Sequence, residues 1–511
     1  MAVVQTPPFP AALDAAVAHG AALADLQAPS GLFTGGDNLE SPPDSGFTLN
    51  DLGDAVEVIR RADPAARSEL AVLESLLVEI ADNARAAMLA GGVHTPNHRW
   101  ELASALARLH RMRPDGALVA RAEEWLGEGI DIDGDAQYSE RSATYASHVT
   151  NPSLTLLAEV LDRPELLGLV ERNLVSSLGL IRRDATIETI HSRRQDQKDP
   201  RHPLDPYVIP LRRAALATGR GDLAWAAGLA CSLGIGEPHA VLAALLLDPT
   251  LGEELPPAAA PGHGTFAWPQ SRLVIHDDPG RRLVVYAGSD FARQRRIRSG
   301  LANNPTFLRL ECGEVLLESV RLSRDFFGLG PFRPGELRDL DGAHLLVEDL
   351  AGGYYQPLAP GLRRADGAYD LVDEGRFSAS MSFGQREADE VRLHTEVSVT
   401  PTADGVDLTV TTDGPQLGWA LELAFREGGA FEGCVELGDG SARLDEGVGR
   451  YVVGTSAIEF GPGTGERGSA HYSAGEEYEY VGGTDAMGGP RVYLTGRAPG
   501  VARISLRGTY A

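Results

Sequence analysis

Three short polar segments interrupt the first half of the sequence and carry groups that could do chemistry. They are Thr95–Glu101 (TPNHRWE), Asp133–His148 (DGDAQYSERSATYASH) and Glu188–Asp196 (ETIHSRRQD). Such groups are costly to bury without a partner. Imidazole and phenol groups can transfer protons, whereas amide and guanidinium groups can hold an anion. Together the segments predict a polar cleft.

Each candidate residue also has a purely structural interpretation. Asn97 could cap a helix that starts near Arg99, and His98 could be a buried structural histidine. Tyr138 and Tyr145 are seven residues apart, so on a helix they would share one face and could simply pack. Two charged pairs could be exposed and solvated, namely Glu140 with Arg141 and Arg193 with Arg194. Their joint occurrence in one region favours the functional interpretation.

The region around these segments has helical periodicity. One apolar stripe repeats at intervals of three and four residues: Leu70, Leu73, Leu77, Ile80, Ala84 and Ala87. Asp63 followed by Pro64 is a typical helix start. The pattern predicts nine or ten helices over residues 1–254. If these helices form an (α/α) toroid, the loops that enter them converge on one cleft.

The periodicity changes from helical to alternating after residues 255–269, a linker rich in Pro, Ala and Gly. Apolar residues alternate with polar ones at Val391, Leu393, Thr395, Val397 and Val399, and again at Val406, Leu408 and Val410. Many strands without intervening helices indicate an antiparallel β-sandwich over residues 270–511. The predicted fold class is therefore α+β and multidomain, with a helical domain before the sandwich.

The composition excludes some partners. With 46 Lys and Arg against 72 Asp and Glu, the 511-residue chain has a net charge of −26, which disfavours nucleic acid. We see neither a signal peptide nor a membrane-spanning stretch, so we expect a cytoplasmic protein without a membrane partner. No nucleotide-, flavin- or phosphate-binding loop and no metal-ligand spacing is visible, so no cofactor and no metal are expected.

The second polar segment resembles a motif of the heparinase II/III-like polysaccharide lyases. In that motif Asp-Gly, an aromatic residue, Glu-x-Ser and Tyr-His follow in order. Here they match Asp133-Gly134, Tyr138, Glu140-Arg141-Ser142 and Tyr145, but His148 comes three residues after the tyrosine. Asn97-His98 resembles the Asn-His pair of the family. A helical domain before a β-sandwich is also the order of domains in that family, and the resemblance implies that the helical domain is an (α/α) toroid.

The resemblance implies β-elimination on a uronic-acid-containing oligo- or polysaccharide. Asn97, with His98 or an arginine beside it, would neutralise the sugar carboxylate, because removal of the neighbouring proton builds negative charge. Tyr145 would be the general acid and, depending on stereochemistry, also the base. An ordinary tyrosine needs cationic neighbours to act as a base, and on a helix Arg141 would lie one turn before Tyr145.

The turn that carries histidines near the start of the sandwich in this family corresponds to residues 300–306, with Asn303 and Asn304 in their place. Amides cannot replace imidazole in proton transfer, so His191 is the candidate for that role, and His98 is the alternative proton carrier. The remaining predicted substrate-binding residues are Tyr138, Glu140, Arg141, His148, Arg193 and Arg194. The two adjacent arginines would bind carboxylate or sulfate.

Two other functions remain open. A glycoside hydrolase on a similar α/α scaffold would need two opposed carboxylates, for which the candidates are Asp44, Asp133, Asp135 and Glu140. A non-catalytic carbohydrate-binding protein would bind the oligosaccharide without turnover.

Overall fold

A computed structural model describes residues 10–198, 201–290, 305–374, 376–470 and 489–510. Two compact units divide the chain. The helical unit comprises Met1–Glu188 and Arg201–Pro261, and the sheet unit comprises Thr189–Pro200 and Gly262–Ala511. The division between Pro261 and Gly262 falls inside the predicted linker. The sequence pattern did not indicate that residues 189–200 belong to the second unit.

Within the described residues, the helical unit contains twelve α-helices and a two-stranded antiparallel pair. The helices are α1 (Pro10–Asp25), α2 (Pro42–Arg61), α3 (Pro64–Glu69), α4 (Ala71–Ala90), α5 (His98–Met112), α6 (Gly116–Leu126), α7 (Ala143–Tyr145), α8 (Asn151–Val160), α9 (Glu165–Ser177), α10 (Val208–Thr218), α11 (Gly221–Ser232) and α12 (Pro238–Leu247). The strands are β1 (Thr186–Ile187) and β2 (His202–Pro203). In the part of the chain that the structure describes, no helix is long and apolar enough to cross a membrane.

The helix signals of the sequence have the expected physical basis. The Asp63 carboxylate accepts hydrogen bonds from the backbone N–H groups of Ala65 and Ala66, at 3.0 and 3.1 Å, and so caps α3. The predicted apolar stripe forms α4, where Leu77 and Ile80 are buried. Both predictions are confirmed.

Helices α2 and α5 pack closely because α2 carries glycine at the contact. A Cβ atom at Gly53 would lie 2.6 Å from Cδ of Arg108 on α5. The Arg108 guanidinium forms an ion pair with Asp54 at 2.8 Å, and the pair ties the same two helices together. This packing holds α5, whose first residues belong to the Asn97-His98 segment.

The sheet unit contains the remaining strands. They are β3 (Gly264–Trp268), β4 (Leu273–Asp278), β5 (Arg281–Tyr286), β6 (Leu308–Cys312), β7 (Val315–Arg324), β8 (Glu336–Leu340), β9 (Ala343–Tyr355), β10 (Leu371–Asp373), β11 (Ser378–Ser380), β12 (Ala388–Pro401), β13 (Gly405–Phe425), β14 (Ala430–Glu432), β15 (Val435–Gly438), β16 (Ser441–Arg443), β17 (Gly449–Val453), β18 (Ser456–Gly461) and β19 (Arg491–Thr509). Among the described residues, β10 and β11 pair with each other and the other fifteen strands form one hydrogen-bonded system.

The long strand β13 connects two arms of this system. Its first half pairs with β12, which continues to β9 and β8, and its second half pairs with β7, which continues to β3. A register shift between Thr412 and Leu417 separates the halves. The described ladders are antiparallel except that between β16 and β19. A helical region followed by a large antiparallel sheet domain confirms the predicted fold class.

The alternating residues of the sequence form the core of the sheet unit. Leu393, Val397 and Val399 of β12 are fully buried. Val397 and Val399 share one apolar cluster with Val406 and Leu408 of β13, and Leu393 lies in a second, smaller cluster. Each strand therefore directs every second side chain inward, as the period of two predicts.

A buried polar group crosses three neighbouring strands of this core. Glu422 of β13 lies opposite Arg321 of β7 and Tyr493 of β19 in register. Its carboxylate forms an ion pair with Arg321 and accepts a hydrogen bond from the Tyr493 hydroxyl at 2.9 Å. Both members of the ion pair are fully buried. Such groups tolerate burial because each charge has a partner.

Candidate functional site

Asn97 is buried in the helical unit immediately before α5, and its exposed fraction is 2%. Its side chain makes no capping hydrogen bond with that helix. Nδ2 instead donates to Oε2 of Glu140 at 2.5 Å, across 43 positions of sequence. The capping interpretation of Asn97 is therefore wrong, since its amide is directed to the second polar segment.

His98, the first residue of α5, is enclosed by other rings. Its exposed fraction is 7%, and the edge-on ring of His94 lies 4.8 Å away between centroids. The ring of Phe47 approaches from α2 at 6.4 Å. His94 was not among the sequence candidates, although it lies only four residues before His98 and is exposed.

The residues that position Glu140 form turns rather than a helix. The Asp133 carboxylate accepts from the backbone N–H groups of Asp135 and Gln137, at 2.9 and 3.0 Å. The Arg141 N–H donates to the Tyr138 carbonyl at 2.8 Å, and Arg141 has a left-handed φ of 50°. The expectations that Tyr138 and Tyr145 share a helix face, and that Arg141 lies one helical turn before Tyr145, are therefore wrong.

Tyr145 ends the three-residue helix α7 and precedes a π-helical turn, Ala146–Thr150. The Ser142 hydroxyl accepts from the Tyr145 N–H at 3.1 Å and so caps α7. The side chain of Tyr145 is half-buried. Helix α5 packs against the π-helical turn, and such turns are frequent at functional sites. Asn97 is thus bonded to the polar segment that carries Tyr145 five residues after Glu140.

Tyr138 lies in a buried amide network. Its hydroxyl donates to Asn151 Oδ1 at 2.7 Å, and the Asn151 amide donates to Asn173 at 3.1 Å. Burial is the largest cause that raises the pKa of Tyr138 well above its ordinary value, and Asp131 adds to it. This environment favours a structural role for Tyr138 over the predicted contact with substrate.

The remaining predicted residues of this segment lie nearer to solvent. His148 is exposed, and its Nδ1 lies 3.9 Å from the Glu237 carboxylate. Arg141 is half-buried in its turn. That His148 and Arg141 contact the substrate stays a prediction.

The third polar segment belongs to the sheet unit from Thr189 onward. His191 is buried there, with an exposed fraction of 2%. Arg193 forms a two-point ion pair with Asp290, at 2.5 and 3.0 Å. Arg194 is half-buried, and its Nε donates to Gln195 at 3.3 Å. Because Asp290 neutralises Arg193, a structural role suits Arg193 better than binding of a substrate anion. Asn303 and Asn304 lie outside the described residues.

Glu101 of α5 is a buried acid that was not among the predicted site residues. Its exposed fraction is 3%, and Asn50 Nδ2 donates to its Oε1 at 2.5 Å. Burial is the largest cause that raises the pKa of Glu101 to about 7. The signal was present in the sequence, because this acid stands on the apolar side of an otherwise regular helix. Among the described residues, no group of three or more His, Cys, Asp or Glu side chains could hold a metal ion.

Comparisons with family models and with curated proteins found no match. Among solved structures, the chain is similar to the Streptomyces coelicolor A3 chondroitin AC lyase in complex with chondroitin sulphate. The identity is 13% and the TM-score 0.51, over 99% of this chain and 80% of that one. It is also similar to a Paenibacillus xanthan lyase, with 9% identity and a TM-score of 0.52, over 98% of this chain and 57% of that chain.

At these identities the likeness shows the fold. The chain has the architecture of these polysaccharide lyases, an (α/α) toroid followed by an antiparallel β-sandwich.

Proposed function

We propose that this protein is a polysaccharide lyase that cleaves a uronic-acid-containing glycan by β-elimination. The observation that supports the proposal is the buried hydrogen bond between Asn97 and Glu140. It brings an amide to the same polar segment of the helical unit as the half-buried phenol of Tyr145. The heparinase II/III-like pattern of that segment is part of the proposal.

In the proposed reaction, a base removes the proton at C5 of the uronic acid, and the negative charge that develops spreads onto the carboxylate. The bond between C4 and the leaving oxygen then breaks. Its electron pair leaves with that oxygen, which takes a proton, and a C4=C5 double bond remains. In this scheme Tyr145 supplies the proton to the leaving oxygen. The amide N–H of Asn97, with His98 beside it, stabilises the carboxylate as charge develops.

The alternative hydrolase mechanism has less support from the carboxylates that it would use. Asp44 accepts hydrogen bonds from Asn38 and Ser41 at the start of α2. Asp133 holds the turn described above, and Glu140 accepts the Asn97 amide. Each of these three carboxylates has a structural partner, whereas hydrolysis needs two carboxyl groups that flank the same glycosidic bond.

The test is an absorbance assay for the unsaturated product across a panel of uronic-acid glycans that includes chondroitin sulphate. Tyr145→Phe should abolish turnover and leave the fold intact. Asn97→Ala should lower kcat by about a hundredfold or more, if Asn97 stabilises developing charge. Normal turnover by Tyr145→Phe would exclude the role of this residue.

Tyr138→Phe is the matched control for Tyr145→Phe. It removes a buried hydroxyl from Asn151 and should cost about 1–3 kcal/mol of stability while leaving kcat unchanged. New reducing ends without the ultraviolet signal would identify a hydrolase. Binding of the glycans without any product would identify a binding protein.

A further inference from the structure

The hydrogen bond with Glu140 determines which end of the Asn97 amide faces it. The oxygen and nitrogen ends of an amide have nearly the same shape, so only hydrogen-bond partners distinguish them. An ionised carboxylate can accept but cannot donate. The NH₂ end of Asn97 therefore points to Glu140, and its oxygen accepts from the Thr95 hydroxyl at 3.4 Å.

The backbone around Glu140 is itself tightly determined. The turn from Tyr138 to Arg141 contains Glu140, and Ser142 caps the next helix directly after it. Arg141 adopts a positive φ that residues other than glycine rarely take. Its surroundings therefore impose the turn. Glu140 is 8% exposed, so the carboxylate has little freedom to move.

We infer that Glu140 is a positioning residue, which orients the Asn97 amide toward the substrate carboxylate. This inference rests on the proposed lyase function. One N–H of the amide is used by Glu140, and the other can donate to the developing charge. A direct contact between Glu140 and substrate is disfavoured, because two carboxylates at hydrogen-bonding distance repel each other.

The test compares Glu140→Ala with Glu140→Gln. Glutamine can still accept from Asn97 through its amide oxygen, whereas alanine cannot. Glu140→Ala should lower kcat at least about tenfold with little change in KM, and Glu140→Gln should restore most of that loss. The double variant Asn97→Ala/Glu140→Ala should be no slower than Asn97→Ala, since both changes remove one function. Glu159→Ala, at an exposed carboxylate of the same unit, is the control.

A readout without turnover separates this inference from the proposed function. With ¹⁵N-labelled asparagine, the side-chain NH₂ protons of Asn97 should give two well-separated signals, assigned by their loss in Asn97→Ala. In Glu140→Ala the difference in chemical shift between the two signals should become smaller, because neither N–H then donates to Glu140. Unchanged signals in Glu140→Ala, or a normal kcat in that variant, would overturn the inference. A protein that gives no product but shows the expected signals would refute the lyase function alone.

Discussion

Two buried carboxylates of the helical unit each accept a hydrogen bond from an asparagine amide at 2.5 Å. Glu140 accepts from Asn97, and Glu101 accepts from Asn50. The two hydrogen bonds have the same length, but they lie in different places, since Glu101 lies between the packed helices α2 and α5. One pair therefore serves the proposed site, whereas the other influences stability.

Glu101 should make the helical unit less stable as the pH rises. Its pKa is raised to about 7, so between about pH 4.5 and 7 the folded state binds more protons than the unfolded state. The stabilisation is complete below that range and is lost above it. Glu101→Gln keeps the acceptor for Asn50 without the charge, so at pH 8 it should be more stable than the wild type by about 1–3 kcal/mol.

Urea unfolding at about pH 5 and pH 8 measures this difference. Glu159→Gln, a change at an exposed acid, should keep the same difference in unfolding free energy between pH 5 and pH 8 as the wild type. A Glu101→Gln variant that is less stable than the wild type at pH 8 would contradict the argument.

At the scale of single residues, the sequence indicates which side chains could do chemistry, but not which of them contact each other. Local statistics favour Asn97 as a helix cap, and only the fold brings Glu140 to its amide across 43 positions. Tyr138 matches the motif by type, yet its hydroxyl is used by Asn151, a residue that no local pattern connects to it.

Among the elements, the segment from Asp133 to Thr150 shows where periodicity misleads. The seven-residue spacing of Tyr138 and Tyr145 fits a helix, but the backbone turns at Ala136 and Arg141, which both have positive φ. The Asx turn at Asp133 and the cap at Ser142 were readable signals, because these residue types favour turns and caps. The strands β12 and β13, by contrast, follow their alternating pattern directly.

A pair of histidines joins β4 to β9, two strands that are not neighbours in the sheet. Nε2 of His276 lies 2.6 Å from Nε2 of His344, and Nδ1 of His344 lies 2.5 Å from Asp339. If Nδ1–H of His344 donates to Asp339, a His344 ring with this single N–H accepts from His276 at Nε2. The Thr265 hydroxyl, at 3.0 Å, can then donate to Nδ1 of His276.

The histidine pair should make the sheet unit sensitive to acid. Burial is the largest cause that lowers the pKa of His276 to about 4, and His344 and Arg281 add to it against the opposing charges of Asp278 and Asp339. The contribution of His276 to the stability of the sheet unit is therefore present above about pH 6.5 and is lost as the pH falls toward 4.

His276→Gln should flatten this acid dependence of the unfolding free energy, by on the order of 1 kcal/mol once solvent screening is allowed for. His394→Gln, at a half-buried histidine beside Asp349, is the control for the loss of a histidine from the sheet unit. Equal profiles for His276→Gln and the wild type would show that the pair does not titrate as argued.

For the whole molecule, the change of period from helical to alternating was enough to predict the order of the two units. It could not predict that Thr189–Pro200 belongs to the sheet unit. That membership depends on contacts over long sequence distances, such as the ion pair of Arg193 with Asp290, 97 positions later. Periodicity records the neighbours of a residue along one element, whereas such a pair joins two distant segments.

The net charge of −26 should make the stability of the whole molecule depend on salt. Like charges repel most in the compact state, and screening shortens the range of that repulsion to about 8–10 Å at physiological salt. Exposed ion pairs are weak and oppose the effect only slightly.

Raising NaCl from about 20 to about 200 mM near pH 8 should increase the unfolding temperature by about 2–4 °C. Near the isoelectric point of about 4.9 the same change should have little effect, because net repulsion is absent there. A decrease in unfolding temperature with salt near pH 8 would mean that specific ion pairs dominate over net repulsion.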